Sequence, residues 1–396
     1  MNKNWDIKTL GKVCEKIENI SWSNFPTQNF QYIDLTSVSR DSLSVTNSVL
    51  VNIKNAPSRA KKIVQSGDVI FGTTRPTLKR VAKISEDYDQ QLCSTGFAVL
   101  RAKQKEILTD YIFFFLQTDI FNERMERLQR GASYPAVSDT DVKSTKIPLP
   151  PLSEQKRIVG ILDEKFKAIE ELKKVTEAQI QDAKELFESR LNIIFGMNEE
   201  NILPLSDVCK ITSSKRVYKA DYVKSGVPFY RTKEIKELAH NKQPTTELFI
   251  KRDSFDEITS KFGKPEAGDL MLTAIGTIGE IYIVEDKDEF YFKDGNILWL
   301  KNIKGVTVGY LRYALNFFVK EIQSLAVGSA YKALTIEKLN NHKIPVPKKE
   351  IQNDTVKELD ELSIKTQELM EVFQNKIINL EELKKSYLEQ AFAGKL

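Results

Sequence analysis

Apolar residues recur every three or four positions through two long, otherwise polar stretches of this chain. The first follows Ile147-Pro148-Leu149-Pro150-Pro151 and runs through Ile158, Leu162, Phe166, Ile169, Leu172, Val175, Ile180, Ala183, Phe187, Leu191 and Ile194. The second follows Ile344-Pro345-Val346-Pro347 and runs through Val356, Leu359, Leu362, Leu369, Phe373, Ile377, Leu380, Leu383, Tyr387 and Ala391. That period is one face of a helix. Proline sets an extended entry to each, and Ser153 suits the N-cap of the first, with Glu154 in its first turn. Each arm is expected to be one helix of about 43 residues, about 65 Å long at 1.5 Å per residue. A stripe of that length cannot stay wet, so the arms are expected to pair as an antiparallel coiled coil with a head at each end. Packing of each arm on its own head is the alternative, for the first turns only.

The stretches preceding the arms have a different texture. Short β-rich runs, Asp68 to Gly72, Val81 to Ile84, Phe97 to Leu100, Leu270 to Ala274 and Ile281 to Val284, are bounded by Gly, Pro, Asp or Ser, as strands are. Helices are predicted after them, over Leu108 to Arg130 closed by Gly131 and over Val308 to Val327 closed by Gly328. Each head reads as a mixed domain of roughly 150 residues.

The chain also repeats itself. Shifted by 197 positions, GASYPAVSDTDVKSTKIPLP from Gly131 falls on GSAYKALTIEKLNNHKIPVP from Gly328 with seven identities in twenty and no gap. The same shift superposes Leu162-Asp163-Glu164 on Leu359-Asp360-Glu361 and Phe195 on Phe392. Upstream, LGKVCEKI from Leu10 resembles LSDVCKI from Leu205, and SGDVIFGTTRPTLKRVAKI from Ser66 resembles AGDLMLTAIGTIGEIYIV from Ala267. A long period present twice is a tandem domain duplication rather than a solenoid. The expected fold class is therefore α+β, a duplicated α/β head followed by a long helix. The boundaries are 1–150 (first head), 151–196 (first arm), 197–347 (second head) and 348–396 (second arm). Pseudo-two-fold symmetry would offer two equivalent docking surfaces to two identical partners.

Charge sharpens this only slightly. The net +4 is distributed as +5 over 1–150, −1 over 151–196, +2 over 197–347 and −2 over 348–396, so the excess sits on the heads. Nucleic-acid contact needs local basic surface rather than a high total, and this balance leaves the question open. Cys14, Cys93 and Cys209 are too far apart for a CxxC metal site and odd in number, which suits buried thiols in a reducing compartment. MNKNWDIKTL has no apolar signal region and the apolar run Tyr111 to Leu116 is too short to span a bilayer, so a cytoplasmic protein without membrane contact is expected.

Catalytic patterns are sparse: no phosphate loop, GxGxxG, GxSxG or HExxH occurs. The two histidines, His240 and His342, have no metal-ligand partner at helical spacing, and no metal site is expected. Acidic-x-Lys triplets at Glu154, Glu234 and Glu382 are what a Lys- and Glu-rich chain produces by accident. Gly276-Thr277-Ile278-Gly279 lies between two strands and reads as a tight hairpin rather than a phosphate cradle. No active site of its own is expected.

The segment KIPLPPLSEQKRIVGILDEKF, Lys146 to Phe166, resembles the conserved region of the specificity subunit of type I restriction-modification systems. LEQAFAGKL from Leu388, GDVIFGTTRPT, GDLMLTAIGTIG and the GxxYPAV stretch ending the first head are similar to that family as well. The resemblance covers the chain in the order head, arm, head, arm. Two places depart: KKEIQNDTVKELDEL stands where the family keeps Pro-Leu and Glu-Gln, and Tyr331-Lys332 replaces Tyr134-Pro135. The resemblance implies that each head is a target recognition domain reading half of a bipartite, asymmetric double-stranded DNA site, with the arms setting the spacer. It implies two modification subunits that methylate adenine with S-adenosylmethionine, and two restriction subunits that use ATP and Mg. No cofactor is implied for this chain.

On that reading the first head's candidate DNA surface is the loop Thr73-Thr74-Arg75-Pro76-Thr77-Leu78-Lys79-Arg80. Arginine can pair bidentately with guanine, and hydroxyls reach base edge or phosphate; a solvated basic turn fits the same residues. Arg59, Lys61 and Lys62 are phosphate candidates. Arg130 and Tyr134 flank the head–arm junction, and the equivalence of Tyr134 with Tyr331 suggests a shared structural role. In the second head the candidates are Tyr230, Arg231, Thr232 and Lys233, then Lys261 and Lys264, with Thr273 and Thr277 flanking the counterpart loop, which lacks its cations, and Tyr331 and Lys332 at the junction. The coiled-coil spacer is assigned to Ile158, Leu162, Phe166, Ile169, Phe187, Leu191, Leu359, Leu369, Phe373, Ile377, Leu380 and Tyr387. The alternatives are an interaction module without DNA specificity, distinguished by absent sequence preference and weak salt dependence, and a subunit of a related bipartite methylase-nuclease, distinguished by its copurifying partners.

Overall fold

Gly67 and Gly268 occupy the left-handed region, with φ +84° and +86°, and each takes the third position of a turn that leads into a buried strand. The aspartate that follows accepts a backbone N–H from three residues upstream, Asp68 from Gln65 at 2.8 Å and Asp269 from Glu266 at 3.0 Å. Beyond that the copies diverge, Asp68 taking the Arg101 guanidinium at 2.9 and 2.8 Å and Asp269 the Trp299 indole N–H at 2.7 Å. The computed structural model describes residues 5–17, 19, 20, 22, 27–196, 201–325 and 334–396. Within them the expected strands form over Val69–Gly72, Val81–Lys83, Phe97–Leu100, Leu270–Thr273 and Ile281–Ile283. The chain divides into two compact units, Met1–Glu177 with Gln374–Leu396, and Ala178–Phe373.

In the first unit, Val69–Gly72 is the centre of a three-stranded antiparallel sheet between Val81–Lys83 and Phe97–Leu100. A four-stranded sheet runs in the order Val49–Asn52, Asn29–Ile33, Leu92–Ser94, Ala60–Ile63. Asp6–Thr9 pairs antiparallel with Lys146–Leu149, so the linker to the arm is itself a strand. The expected helix Leu108 to Arg130 is two, Thr109–Phe115 and Asp119–Leu128. Thr118 breaks it: its hydroxyl caps the second helix by accepting from the Phe121 N–H at 3.3 Å. The core joins Phe71, Leu100, Tyr111 and Phe121 to arm residues Ile158, Leu162 and Phe166, and also to Leu388, Ala391 and Phe392 from the far end of the second arm.

The second unit has its own four-stranded sheet, Lys210–Thr212, Ile297–Lys301, Leu270–Thr273, Ile281–Ile283, and a second four-stranded one of shorter strands that contains Val227–Tyr230. Ile202–Pro204 pairs antiparallel with Lys343–Pro345, repeating the linker strand of the first unit. The helix Val308–Leu325 follows the sheet. Its core takes Leu359 from the start of the second arm and Leu191 and Phe195 from the end of the first.

Both arms are unbroken 44-residue helices, Leu152–Phe195 and Lys349–Phe392. Helix 152–195 begins one residue before Ser153, so the cap position is Pro151, whose carbonyl accepts from the Glu154 and Gln155 N–H groups. Within the first unit the arm segments run antiparallel, Arg157 reaching the Leu396 carbonyl, Glu170 pairing with Lys384 and Lys173 with Glu381. Within the second, Arg190 pairs with Glu358 beside the buried Leu191 and Leu359. The stripe needs correction at mid-arm. Leu172, Val175, Leu369 and Leu383 are between 43% and 54% exposed, whereas Thr176 is fully buried. The seam passes one residue later than the most apolar positions, through Lys173 and Thr176 and through Met370. The helical period, not residue type, decides which side faces inward. Ile158, Leu162, Phe166, Leu191 and Leu359, assigned to the coiled-coil spacer, are buried in the cores of the heads, Ile169 and Leu380 are buried as well, and Phe187, Phe373, Ile377 and Tyr387 are half-buried.

Candidate nucleic-acid interface

The loop after Val69–Gly72 does not stand alone. Val137 N–H donates to the Thr73 carbonyl at 2.9 Å, Arg75 N–H donates to the Pro135 carbonyl at 2.7 Å, and Thr74 bridges to Ala136. Arg130 and Ala136 exchange both backbone hydrogen bonds, at 2.8 and 2.9 Å, pinching residues 131–135 into a tight loop that starts at Gly131, φ +98°. A side chain at Gly131 would meet the Tyr134 carbonyl at 3.1 Å. Two distant motifs thus form one surface: the Arg75 guanidinium lies 5.2 Å from the centroid of the Tyr134 ring, which is 71% exposed. Such a pair is worth about 0.5–1 kcal/mol where water reaches it. Arg75 and Lys79, which bracket the short turn Pro76–Leu78, both hold left-handed backbone, φ +50° and +51°. Backbone of this kind in non-glycine residues is uncommon and gathers at binding sites.

The remaining first-head candidates separate by what they touch. Thr73 is buried and donates to the Gly96 carbonyl at 2.8 Å, so it holds the loop and presents nothing outward. The Lys62 ammonium bonds the Phe97 carbonyl at 2.6 Å and Asp139 at 3.0 Å with 16% of its side chain exposed, which removes it from the phosphate candidates. Burial raises the Asp139 carboxyl, and the hydrogen bonds from Lys143 and Lys62 outweigh it, leaving the pKa below the ordinary value. Arg80 is turned to the Leu35 carbonyl. Thr77, Arg59 and Lys61 are exposed, and neither Arg59 nor Lys61 has an ion-pair partner among the described residues. Lys79 lies 3.6 Å from Asp119 and remains half exposed. Arg130 forks onto Asp141 at 3.0 and 3.3 Å while 67% of its side chain stays exposed. Hydrogen bonds from Ser138, then from Arg130, hold the Asp141 pKa down at about 2.

The second head uses the same scaffold with other side chains. Thr273 is buried, donating to the Thr277 carbonyl at 2.6 Å and accepting from the Glu280 N–H at 3.0 Å, so it too is structural. The expected hairpin joins Leu270–Thr273 to Ile281–Ile283, with Ile275, Gly276 and Thr277 exposed at its tip. Helix Thr232–Ala239 runs beside it, and the two enclose a concavity of about 550 Å³ lined by Lys233, Lys236, His240, Lys242, Thr277 and Asn296 among others. The Thr232 hydroxyl touches the Ile275 carbonyl at 3.4 Å. Tyr230 is a correction: it is buried and stacks on Phe290 at 4.6 Å in the core. Arg231 is another, its guanidinium bonded at 2.9 Å to the fully buried Glu234 and at 3.0 Å to Glu247, so its charge is spent on two carboxylates. Lys233 meets Glu247 at 3.1 Å and Lys261 meets Glu257 at 2.8 Å, both remaining exposed. Lys264 is exposed without an ion-pair partner among the described residues. Tyr331 and Lys332 lie outside the described residues.

Sequence reasoning missed Lys236, Lys242 and Asn296. The signal was there in part, since Lys233 and Lys236 are three apart on one helix face, but only the fold brings that face to the hairpin. Glu154 and Glu382 pair with Arg157 and Lys385, and no described cluster of His, Cys, Asp and Glu could hold a metal. No described helix is long and apolar enough to cross a membrane.

A mixed head closed by its own linker strand, feeding a long helix, present twice and carrying unlike exposed loops, defines a duplicated, two-headed recognition scaffold. The chain matches the family described as type I restriction modification DNA specificity domain over residues 2–181 and again over 198–379, and it belongs to that family, with two copies of the domain. A Haemophilus influenzae protein assigned as a type I restriction enzyme specificity subunit is 27% identical over 249 residues, 61% of this chain and 62% of its own length. The chain therefore spans less than two thirds of that relative. Among solved structures, a chain described under "Structural basis underlying complex assembly and conformational transition of the type I R-M system" superposes with a TM-score of 0.86 at 27% identity, covering 100% of this chain and 99% of that one. The HsdS subunit from Thermoanaerobacter tengcongensis gives 0.65 at 26%, covering 100% and 98%.

Proposed function

We propose that this chain is the specificity subunit of a type I restriction-modification complex, each head reading one half of an asymmetric, bipartite double-stranded DNA site. The observation that carries the reading is the divergence of two equivalent loops on one scaffold. The first head presents Arg75 over Tyr134 with Thr77 and Lys79 beside them; the second presents Ile275, Gly276 and Thr277 next to lysines of a helix. Similar frames with dissimilar side chains suit unlike half-sites. Arg75 is the leading base contact, while Arg59, Lys61, Lys264 and Lys242 supply phosphate contacts that fix position without reading sequence.

Two modification subunits would dock on the arms, where Leu172, Val175, Ile364, Leu369 and Val372 are exposed apolar residues without a role in either core. S-adenosylmethionine belongs to those partners, and ATP and Mg to two restriction subunits, in a cytoplasmic assembly where this chain contributes recognition and no catalysis. The test is a genome-wide map of adenine methylation with and without the gene. Loss of one bipartite, asymmetric motif is the expected result; an unchanged map with the partner subunits expressed overturns the reading.

A further inference from the structure

We propose that Gln155 and Gln352 are positioning residues that lock each head to the arm leaving it and thereby fix the spacer length the protein accepts. The proposal rests on the two-headed DNA reading above.

Both glutamines lie in the first turn of an arm, 197 residues apart, and both are fully buried. Each amide makes the same three bonds. The Gln155 carbonyl accepts from the Leu108 N–H at 2.9 Å, and its NH2 donates to the Glu106 carbonyl at 3.0 Å and the Pro150 carbonyl at 2.9 Å. The Gln352 carbonyl accepts from the Thr307 N–H at 2.7 Å, and its NH2 donates to the Gly305 carbonyl at 3.0 Å and the Pro347 carbonyl at 2.8 Å. One side chain thus joins the arm, the linker and the loop that starts the head's main helix. Neighbours on either side differ between the copies, Ser153-Glu154 against Glu350-Ile351 and Lys156-Arg157 against Asn353-Asp354, while the glutamine does not.

A second tether repeats as well. The buried Tyr111 hydroxyl donates to the Pro148 carbonyl at 3.1 Å, and the buried Tyr310 hydroxyl donates to the Pro345 carbonyl at 3.1 Å. Each linker is therefore held at two carbonyls, one by the tyrosine and one by the glutamine, and the proline segment, which sequence alone presents as an extended entry to the arm, is a clamped joint. Satisfied buried amides of this kind specify one geometry, because any other leaves polar groups unpaired away from water. The geometry matters to DNA: a tilt of about 10° at the joint moves a surface about 20 Å away by about 3.5 Å, one base-pair step.

The experiment uses the complex with its modification subunits and duplexes carrying both mapped half-sites with the native spacer or one base pair more or fewer. Gln155→Met and Gln352→Met, which keep volume and delete the bonds, are expected to cut discrimination between native and altered spacers at least tenfold while leaving base preference within each half-site unchanged. Tyr111→Phe and Tyr310→Phe, which remove one hydroxyl and keep the ring packing, are expected to loosen it less; they carry the test if the glutamine variants do not fold. Folded variants that retain wild-type spacer discrimination overturn the proposal, as does a loss of half-site base preference alongside spacer preference. A wild-type complex that methylates no bipartite site refutes the functional reading instead.

Discussion

Phe392 sits at the far end of the second arm, yet its ring lies 4.8 Å from that of Tyr111 and 5.4 Å from that of Phe115, inside the first head's core, and it is 2% exposed. Replacing it with alanine removes two aromatic pairs and leaves a cavity among side chains anchored in the sheet and helices, where collapse is limited. Phe→Ala at such sites costs about 3–5 kcal/mol. Against a domain stability of about 5–15 kcal/mol that leaves the first unit marginal. At about 2–4 °C per kcal/mol for a unit of this size, the melting point of the first unit should fall by about 6–20 °C. Hydrogen–deuterium exchange read by peptide separates the units: protection should drop over residues 97–125 and hold over 297–319. Phe195→Ala should do the reverse, since Phe195 packs on Tyr310 at 5.3 Å. A cost below about 1 kcal/mol, or equal loss of protection in both units, would refute the claim that each arm's end belongs to the core it enters.

Two further outcomes follow from the site and its surroundings. Lys61→Ala should lower the salt slope of DNA binding by about 0.9 with little change in stability, whereas Lys62→Ala should leave the slope alone and cost about 1–3 kcal/mol in unfolding measurements, because it removes the ammonium bonded to the Phe97 carbonyl and one of the two that bond Asp139; the opposite pattern would restore Lys62 to the candidate interface. Burial against Phe318 pushes the His342 imidazole down to about 4. Its folded pKa lies below the unfolded one, so the unfolded chain takes up the proton first, and the second unit should lose stability as pH falls from about 6.5 towards 4 and gain nothing above it. Urea unfolding at pH 7.5 and 5, followed in peptides of 297–319, checks this; His342→Gln should flatten the dependence, and an equal slope in that variant would discount the residue.

Periodicity carried most of the architecture. The duplication, the strands around Phe71 and Leu272 and both arms were readable because each rests on local pattern. The seam went wrong at Leu172, Val175 and Leu369 for a physical reason: over many turns the helical period selects Lys173 and Thr176, whatever their polarity. The candidate interface was legible by composition and not by partner. Arg75 and Lys62 are both cations near a turn in the sequence, and only the fold shows one exposed over Tyr134 and the other tied to Asp139. Tyr230 and Arg231 failed likewise, one needed by the core and the other by the carboxylates of Glu234 and Glu247. The second linker, whose sequence departs from the first, nonetheless repeats its geometry through Gln352, since three backbone bonds depend on a single side chain.

The first unit is built from both ends of the chain, Met1–Glu177 and Gln374–Leu396, while the second is one uninterrupted stretch. On a ribosome this inverts the usual order, in which the earlier domain finishes first. Residues through 177 emerge with the slot for Leu388, Ala391 and Phe392 still empty, and it stays empty while the later unit is made and closes on itself. At typical rates of synthesis that wait lasts roughly ten to forty seconds. For that interval the nascent first unit carries an open apolar cleft beside Tyr111 and Phe115, the surface through which a chaperone would hold it and through which crowded polysomes would let neighbouring chains trade their trailing helices.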